Sequence, residues 1–98
     1  MKRHGQRFAS TEAFGLALGL SALEMELIRV KKRLIDKLKR AREKKGLSQR
    51  ELAVLMGSKQ PAIARMESGQ VAEVSMDFLL KAAIILEVSV TIRPHKAA

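Results

Sequence analysis

The sequence predicts a mostly α-helical fold of four to five helices, with a helical extension at the N-terminus and one β-strand at the C-terminus. Helix-forming residues dominate the composition, and the 98 residues include only two prolines. Serine–x–x–glutamate signals, which cap helix N-termini, precede apolar residues at helical spacing. The clearest alternation of apolar and polar residues is in residues 88–92. We therefore expect one small domain, divided into an extension at 1–32, a folded centre at 33–88 and a strand with a tail at 89–98.

Basic residues are concentrated in the middle of the chain. The formal net charge is +9, and residues 31–70 hold twelve lysines and arginines against four acidic residues. A concentration of this kind is typical of a surface that binds a polyanion, most often duplex nucleic acid. A solvated, lysine-rich helix is the alternative interpretation of the same segment.

The composition excludes several classes of protein. There is no cysteine, which excludes a disulfide framework and thiolate metal sites. Three phenylalanines are the only aromatic residues, too few for a platform on which single-stranded nucleic acid stacks. The sequence contains neither a nucleophile–base pair nor a phosphate-binding loop of the kind that enzymes use. We therefore expect neither catalysis nor a cofactor. His4 and His95 lie in the tails without other ligand types at metal spacing, so no metal site is expected.

The first twenty residues combine a polar start with an apolar run. A short helix is predicted for the run, although Phe14, Leu16, Leu18 and Leu20 also alternate as in a strand. The uncharged stretch 13–23 has eleven residues, too few to span a bilayer, and acidic residues follow it. We therefore expect no targeting segment and a cytoplasmic protein.

A long helix is predicted at about residues 21–45. Ser21 and Glu24 form a capping box, and Gly46 follows a lysine pair that suits a helix C-terminus. One apolar stripe advances along this helix in steps of three or four residues, formed by Leu23, Leu27, Val30, Leu34, Leu38 and Ala41. A break near residues 30–33 is the alternative to one continuous helix.

A second, shorter helix is predicted to begin at the next capping box, formed by Ser48 and Glu51. A glycine at position 57 ends it. Its buried face is expected to consist of Leu52, Leu55 and Met56.

The third helix is short and half polar. Pro61 lies in its first turn, where the missing N–H costs little, and Gly69 ends it. Ile63 and Met66 lie three residues apart and are expected to anchor the inner face. The outer face then consists of Gln60, Pro61, Ala64 and Arg65.

The last two predicted elements differ in period. A fourth helix begins after Ser75, and its inward residues are predicted to be Phe78, Leu79, Ala82, Ala83 and Leu86. A strand follows, in which Val88, Val90 and Ile92 share one face. A lone strand leaves its backbone N–H and C=O groups unpaired, so we expect it to pair with its copy in a second subunit.

Two short helices joined by a glycine-containing turn are the helix-turn-helix arrangement. A resemblance to the Xre family of helix-turn-helix DNA-binding domains, which includes the phage repressors, is carried by the segment LSQRELAVLMGSKQPAIARMESG. The matching residues are Leu47, Ser48, Gln49, Leu52, Ala53, Gly57, Gln60, Ile63, Arg65, Glu67 and Gly69. The resemblance continues through the fourth helix and implies a lambda-repressor-like fold whose third helix enters the major groove of double-stranded DNA.

Two positions depart from the family pattern. Lys59 stands where a capping Ser or Thr is frequent, and Pro61 stands where a polar base-contacting residue is frequent. Because Pro61 offers only apolar contact, for example to a thymine methyl, base reading should depend more on Gln60 and Arg65. The resemblance further implies a homodimer on an inverted repeat, with the two third helices about 34 Å apart.

The resemblance also implies a role for each residue of the interface. Gln60 is expected to pair with adenine and Arg65 with guanine or phosphate, while Pro61 and Ala64 complete the base-facing set. The expected phosphate contacts are Gln49, Arg50, Lys59, Ser68, Lys44 and Lys45. Two alternatives remain: Gln60 only starts its helix, or Arg65 binds Glu67 or another acidic residue of the same chain.

Two functions remain open at this point. The order of helical extension, Xre domain and final strand resembles the HigA-like antitoxins, which neutralise a small ribonuclease toxin and repress their own operon. In that case the toxin would contact Phe8, Phe14, Leu16, Leu18 and Leu20. The alternative is a stand-alone transcriptional regulator of the same family, in which the extension packs on its own dimer.

Overall fold

The computed structural model describes Gly19 and residues 21–92. Four α-helices form in this part of the chain: α1 (Ala22–Lys44), α2 (Gln49–Met56), α3 (Gln60–Glu67) and α4 (Met76–Leu86). A 3-10 turn, Val71–Glu73, connects α3 to α4. None of the described helices combines the length and the apolar character that a bilayer span requires.

The predicted helix starts are confirmed by their hydrogen bonds. At the start of α1 the Ser21 hydroxyl accepts the Glu24 N–H at 3.0 Å, and the Glu24 carboxylate accepts the Ser21 N–H at 2.9 Å. Ser48 and Glu51 repeat this capping box before α2, at 3.0 and 2.7 Å. Ser75 caps α4 by accepting the Phe78 N–H at 3.1 Å. Each cap satisfies N–H groups that have no partner inside the helix.

One apolar core lies between the C-terminal half of α1 and the three shorter helices. Its fully buried large side chains are Leu38, Leu52, Ile63, Met66, Leu79 and Leu86. The inner faces predicted for α3 and α4 are therefore confirmed, apart from Phe78, which is only partly buried. Because Ile63 and Met66 occupy the core side of α3, the opposite side of this helix faces outward.

The predicted stripe on α1 is buried only in part. α1 is continuous through residues 30–33, so the predicted alternative of a break is wrong. Leu23 is 78% exposed and Leu27 45% exposed, because the described helices pack on the later turns of α1. Leu55, predicted to be buried in α2, is 55% exposed. It lies on the flank of α2, away from the buried residues Leu52 and Ala53.

The segment after α4 runs back along α1. The Val88 N–H donates to the Ala83 carbonyl at 2.9 Å, and the Lys37 ammonium donates to the Ser89 carbonyl at 2.9 Å. Val90 and Ile92 are exposed. No strand forms among residues 21–92, so the strand at 88–92 and its pairing across a dimer stay predictions.

The toxin contacts proposed from the sequence cannot be located on this fold. Phe8, Phe14, Leu16, Leu18 and Leu20 all lie outside the described residues. The division at residue 32 also stays a prediction, since α1 crosses it as one helix.

Candidate nucleic-acid interface

α2 and α3 are joined by a three-residue turn that begins with Gly57. This glycine has φ 66°, a left-handed conformation that costs a residue with a Cβ more than it costs glycine. The following N–H, from Ser58, donates to the Ala53 carbonyl at 2.8 Å. Ala53 is 2% exposed, and its small side chain permits the close packing of α2 and α3. The predicted helix-turn-helix unit is thus present.

The outer face of α3 contains the four residues predicted to read bases. Pro61 and Arg65 are exposed, and Gln60 and Ala64 are partly exposed. Lys59 takes the N-cap position without a side-chain hydrogen bond, as its departure from a capping serine or threonine implies. The N-terminus of α3 therefore presents one cation and one amide side by side.

Gln60 is held by a second glutamine. Its side-chain N–H group donates to the Gln49 Oε1 at 2.7 Å. The side-chain N–H of Gln49 in turn donates to the Glu67 Oε1 at 3.0 Å. These two bonds join the N-terminus of α2 to both ends of α3 and restrict the orientation of the Gln60 amide.

Glu67 also binds Arg42 on α1. The Arg42 Nε and Nη2 donate to the two oxygens of the Glu67 carboxylate at 2.6 and 2.9 Å. The Arg42 Nη1 donates to the Leu47 carbonyl at 2.6 Å. The side chains of Arg42 and Glu67 are 11% and 3% exposed. A bidentate pair of this kind fixes direction as well as distance, so it holds α3 at a defined angle to α1.

The pKa values of this pair respond to both burial and pairing. Burial alone would raise the pKa of Glu67, but hydrogen bonds from Arg42 and Gln49 and the charge of Arg42 outweigh it and lower that pKa. The hydrogen bond to Glu67 raises the pKa of Arg42. Both groups are therefore charged at neutral pH.

Arg65 contacts an acidic residue of its own chain, as the second alternative from the sequence allowed, but this residue is Glu73 and not Glu67. Its Nε lies 3.8 Å from the Glu73 Oε1, and both side chains are about half exposed or more. Glu67 is occupied by Arg42 and Gln49, which leaves Arg65 on the surface. An exposed pair at this distance is weak, so the guanidinium group stays available to an external ligand.

The residues predicted to contact phosphate lie in two places. Arg50, Lys59 and Ser68 are exposed near the helix ends of the helix-turn-helix unit, with the partly buried Gln49 beside them. Lys44 and Lys45 lie at the end of α1, where Lys45 is 3.5 Å from Glu87. That contact draws Lys45 towards the end of α4. Contact of any of these six residues with DNA stays a prediction.

Arg42 supports the helix-turn-helix unit through Glu67, and the sequence analysis did not identify it. Helical spacing could have identified Arg42, because this residue lies four positions after the buried Leu38 and seven after the buried Ile35. A charged residue at that spacing points towards the core. Such a residue requires a buried acidic partner, and Glu67 is that partner.

Comparison with known proteins agrees with this geometry. The helix-turn-helix family model HTH_3 matches residues 38–92, more than half of the chain. Neither the curated proteins nor the solved structures gave a significant match. The match contains α2, the turn and α3, and it extends through α4. The chain therefore belongs to the Xre-like helix-turn-helix family of DNA-binding regulators.

Proposed function

We propose that this chain is a sequence-specific repressor that binds an inverted repeat in its own promoter as a homodimer. The observation that carries the proposal is the outer face of α3. Gln60 and Arg65 point away from the buried Ile63 and Met66, and Gln49 orients the Gln60 amide at 2.7 Å. An oriented amide on an exposed helix is a suitable base reader, because less conformational entropy is lost on binding.

The bond to Gln49 leaves the right groups of Gln60 free. A glutamine amide has two N–H donors and one carbonyl acceptor. One donor is used by Gln49, so one donor and the carbonyl oxygen remain. A glutamine carbonyl oxygen and the N–H on its side of the amide match the N6 donor and N7 acceptor of adenine in the major groove, so this pairing requires Gln49 to accept from the other N–H.

Footprinting on the DNA upstream of the gene tests the proposal. We expect protection of an inverted repeat, and an affinity that falls steeply as salt rises. Gln60→Ala should weaken the binding free energy for the native site by about 1–3 kcal/mol, and that for scrambled DNA by much less. Arg50→Ala is the matched control and should weaken binding to both DNAs about equally. Equal loss for Gln60→Ala on all sequences would remove base reading from this residue.

The homodimer is proposed to form through residues 88–92. Val90 and Ile92 are 37% and 58% exposed, and the segment is tied to α1 by Lys37. Pairing with a second copy would satisfy the backbone groups of this extended segment. Light scattering should give a dimer mass for the wild type and a monomer mass for Val90→Asp/Ile92→Asp. Val54→Asp, which changes an equally apolar, 72% exposed residue on α2, should leave the dimer intact.

A finer role, that of an antitoxin, rests on the N-terminal half of α1. Leu23 and Leu27 are exposed there, next in sequence to the apolar run 13–20. Exposed leucines of this kind suit a protein partner. Co-expression with the protein from the adjacent reading frame tests the role. An antitoxin should co-purify with it and suppress its ribonuclease activity, whereas a stand-alone regulator should do neither.

A further inference from the structure

The turn between α3 and α4 is held by a lysine from α1. The Lys31 ammonium donates to the Val74 carbonyl at 2.7 Å and to the Val71 carbonyl at 3.2 Å. These carbonyls lie at the two ends of the 3-10 turn Val71–Glu73. One side chain therefore spans the turn from a helix that is forty or more positions away in the sequence.

The site of this contact is partly buried. Val74 is 5% exposed and belongs to the core, and Lys31 is itself partly buried. A buried carbonyl is costly without a donor. The ammonium group of Lys31 supplies that donor to the Val74 carbonyl, whereas the Val71 carbonyl also accepts the Val74 N–H at 3.3 Å.

The turn leads directly to the outer face of α3. Glu73, its last residue, lies 3.8 Å from the Nε of Arg65. The contacts thus run from Lys31 through the turn to Glu73, whose exposed carboxylate lies beside Arg65. Because that last contact is weak, the turn acts on Arg65 by setting where the Glu73 carboxylate lies and not by holding the guanidinium group. Lys31 also precedes residues 38–92, so the family match does not include it.

We infer that Lys31 is a positioning residue for the DNA interface, acting on Arg65 through the α3–α4 turn. This inference rests on the proposed function, because it requires Arg65 to read a base pair of the operator. The competing role is general attraction of phosphate by one more cation. The two roles differ in salt dependence, because a lysine bound to carbonyls does not release counterions when DNA binds.

Lys31→Met and Lys32→Met form a matched pair for the test. Each removes one positive charge, and the two positions are adjacent on α1. Lys32 is exposed, however, and makes no hydrogen bond or ion pair with the described residues. We expect Lys31→Met to weaken operator binding about tenfold, with an unchanged slope of log affinity against log salt. The loss should be concentrated at the base pair that Arg65 reads. Lys32→Met should keep the base preference. If Lys32 contacts phosphate in the wild type, this variant should also lower the slope of log affinity against log salt by about one.

Two further variants separate positioning from folding. Lys31→Arg keeps donors for both carbonyls and should restore the affinity and the base preference. Glu73→Gln leaves Lys31 and the core untouched, and it should alter the preference at the same base pair without changing the melting temperature. If Glu73→Gln leaves that preference unchanged, or if Lys31→Met behaves as Lys32→Met does, the inference is wrong.

Hydrogen exchange gives a readout that does not depend on DNA. The Glu73 and Val74 N–H groups donate within the turn, to the Gln70 and Val71 carbonyls. Their protection should fall in Lys31→Met and not in Lys32→Met. Reduced protection without any DNA binding by the wild type would refute the proposed function but keep the role of Lys31 in holding the turn. Unchanged protection would refute that role itself.

Discussion

The two halves of α1 carry the same apolar spacing but have different surroundings. In the C-terminal half, Leu34 and Leu38 are 5% and 0% exposed, and Arg42 makes a buried ion pair. In the N-terminal half, Met25 is 5% exposed, but Leu23 and Leu27, which continue the same apolar stripe, are 78% and 45% exposed. Helical spacing determines which side chains share a face. Whether that face is buried depends on what packs against it, and this is decided by elements elsewhere in the chain.

The difference separates stability from recognition. The C-terminal half of α1 contacts the helices that form the core, and it sets the angle of α3 through Glu67. The N-terminal half contributes the exposed Leu23 and Leu27, although Met25 between them is buried. Substitutions in the two halves should therefore affect different measurements, and the following variants are arranged from the largest expected effect to the smallest.

The largest effect is expected for Glu67→Ala, which removes the acidic partner of Arg42. A charge that stays buried without its partner is strongly destabilising, and we expect a loss of about 4 kcal/mol in the free energy of unfolding. Urea denaturation measures it. Asp36→Ala is the control, because it removes an ion pair with Arg40 on the same helix whose side chains are 71% and 74% exposed. That pair should contribute less than about 1 kcal/mol.

Leu38→Ala and Leu27→Ala compare the two halves directly. Both remove the same atoms, but only Leu38 is fully buried. Leu38→Ala should lower the free energy of unfolding by about 3 kcal/mol, because apolar burial is lost and a cavity is left behind. Leu27→Ala should change the unfolding free energy by less than about 0.5 kcal/mol. Similar losses of unfolding free energy for the two variants would mean that Leu27 is covered in solution.

Acid should weaken the contact between α1 and α3. A carboxylate whose pKa is lower in the folded chain stabilises the fold above its unfolded pKa, and this contribution is lost as the pH falls through the folded value. The pKa of Glu67 is lowered in this way. The difference in unfolding free energy between wild type and Glu67→Gln should therefore shrink below about pH 5. Parallel pH profiles would contradict the ion pair's role.

The smallest effect is expected at the end of α4, where Glu87 has φ 58°. Glycine adopts this left-handed conformation more easily, so Glu87→Gly should raise the unfolding free energy by about 0.5 kcal/mol. Glu87→Ala is the matched control. It removes the same exposed contact with Lys45, at 3.5 Å, without relieving the backbone, and it should not stabilise the fold. Thermal melts of the two variants can detect the difference.

Local signals in the sequence were sufficient for most of the fold. Both capping boxes, the cap at Ser75 and the inner face of α3 depend on residues within one or two helical turns, and each is confirmed. The errors concern Leu23, Leu27 and Leu55, whose exposure depends on distant parts of the chain. Period alone does not contain that information.

The sequence predicted the exposed residues of the candidate site, but not the hydrogen bonds that hold them in place. The outer residues of α3 follow from the helical period once Ile63 and Met66 are placed inside. The bonds that link Gln60, Gln49, Glu67 and Arg42 join three helices and span up to 25 positions in sequence. No local pattern specifies such a set, because its geometry exists only after the helices have packed.

The shared carboxylate of Glu67 has a consequence for how this domain can diverge. It accepts from Arg42 and Gln49 at once, so a change at any of these positions leaves a buried group without its partner. Descendants of this sequence can exchange Arg65 or Pro61, on the exposed face, one mutation at a time. A change in the angle of α3 through Arg42, Gln49 or Glu67 would first lower the stability of the fold. We therefore expect new target sequences to arise more readily by exchange of exposed side chains on α3.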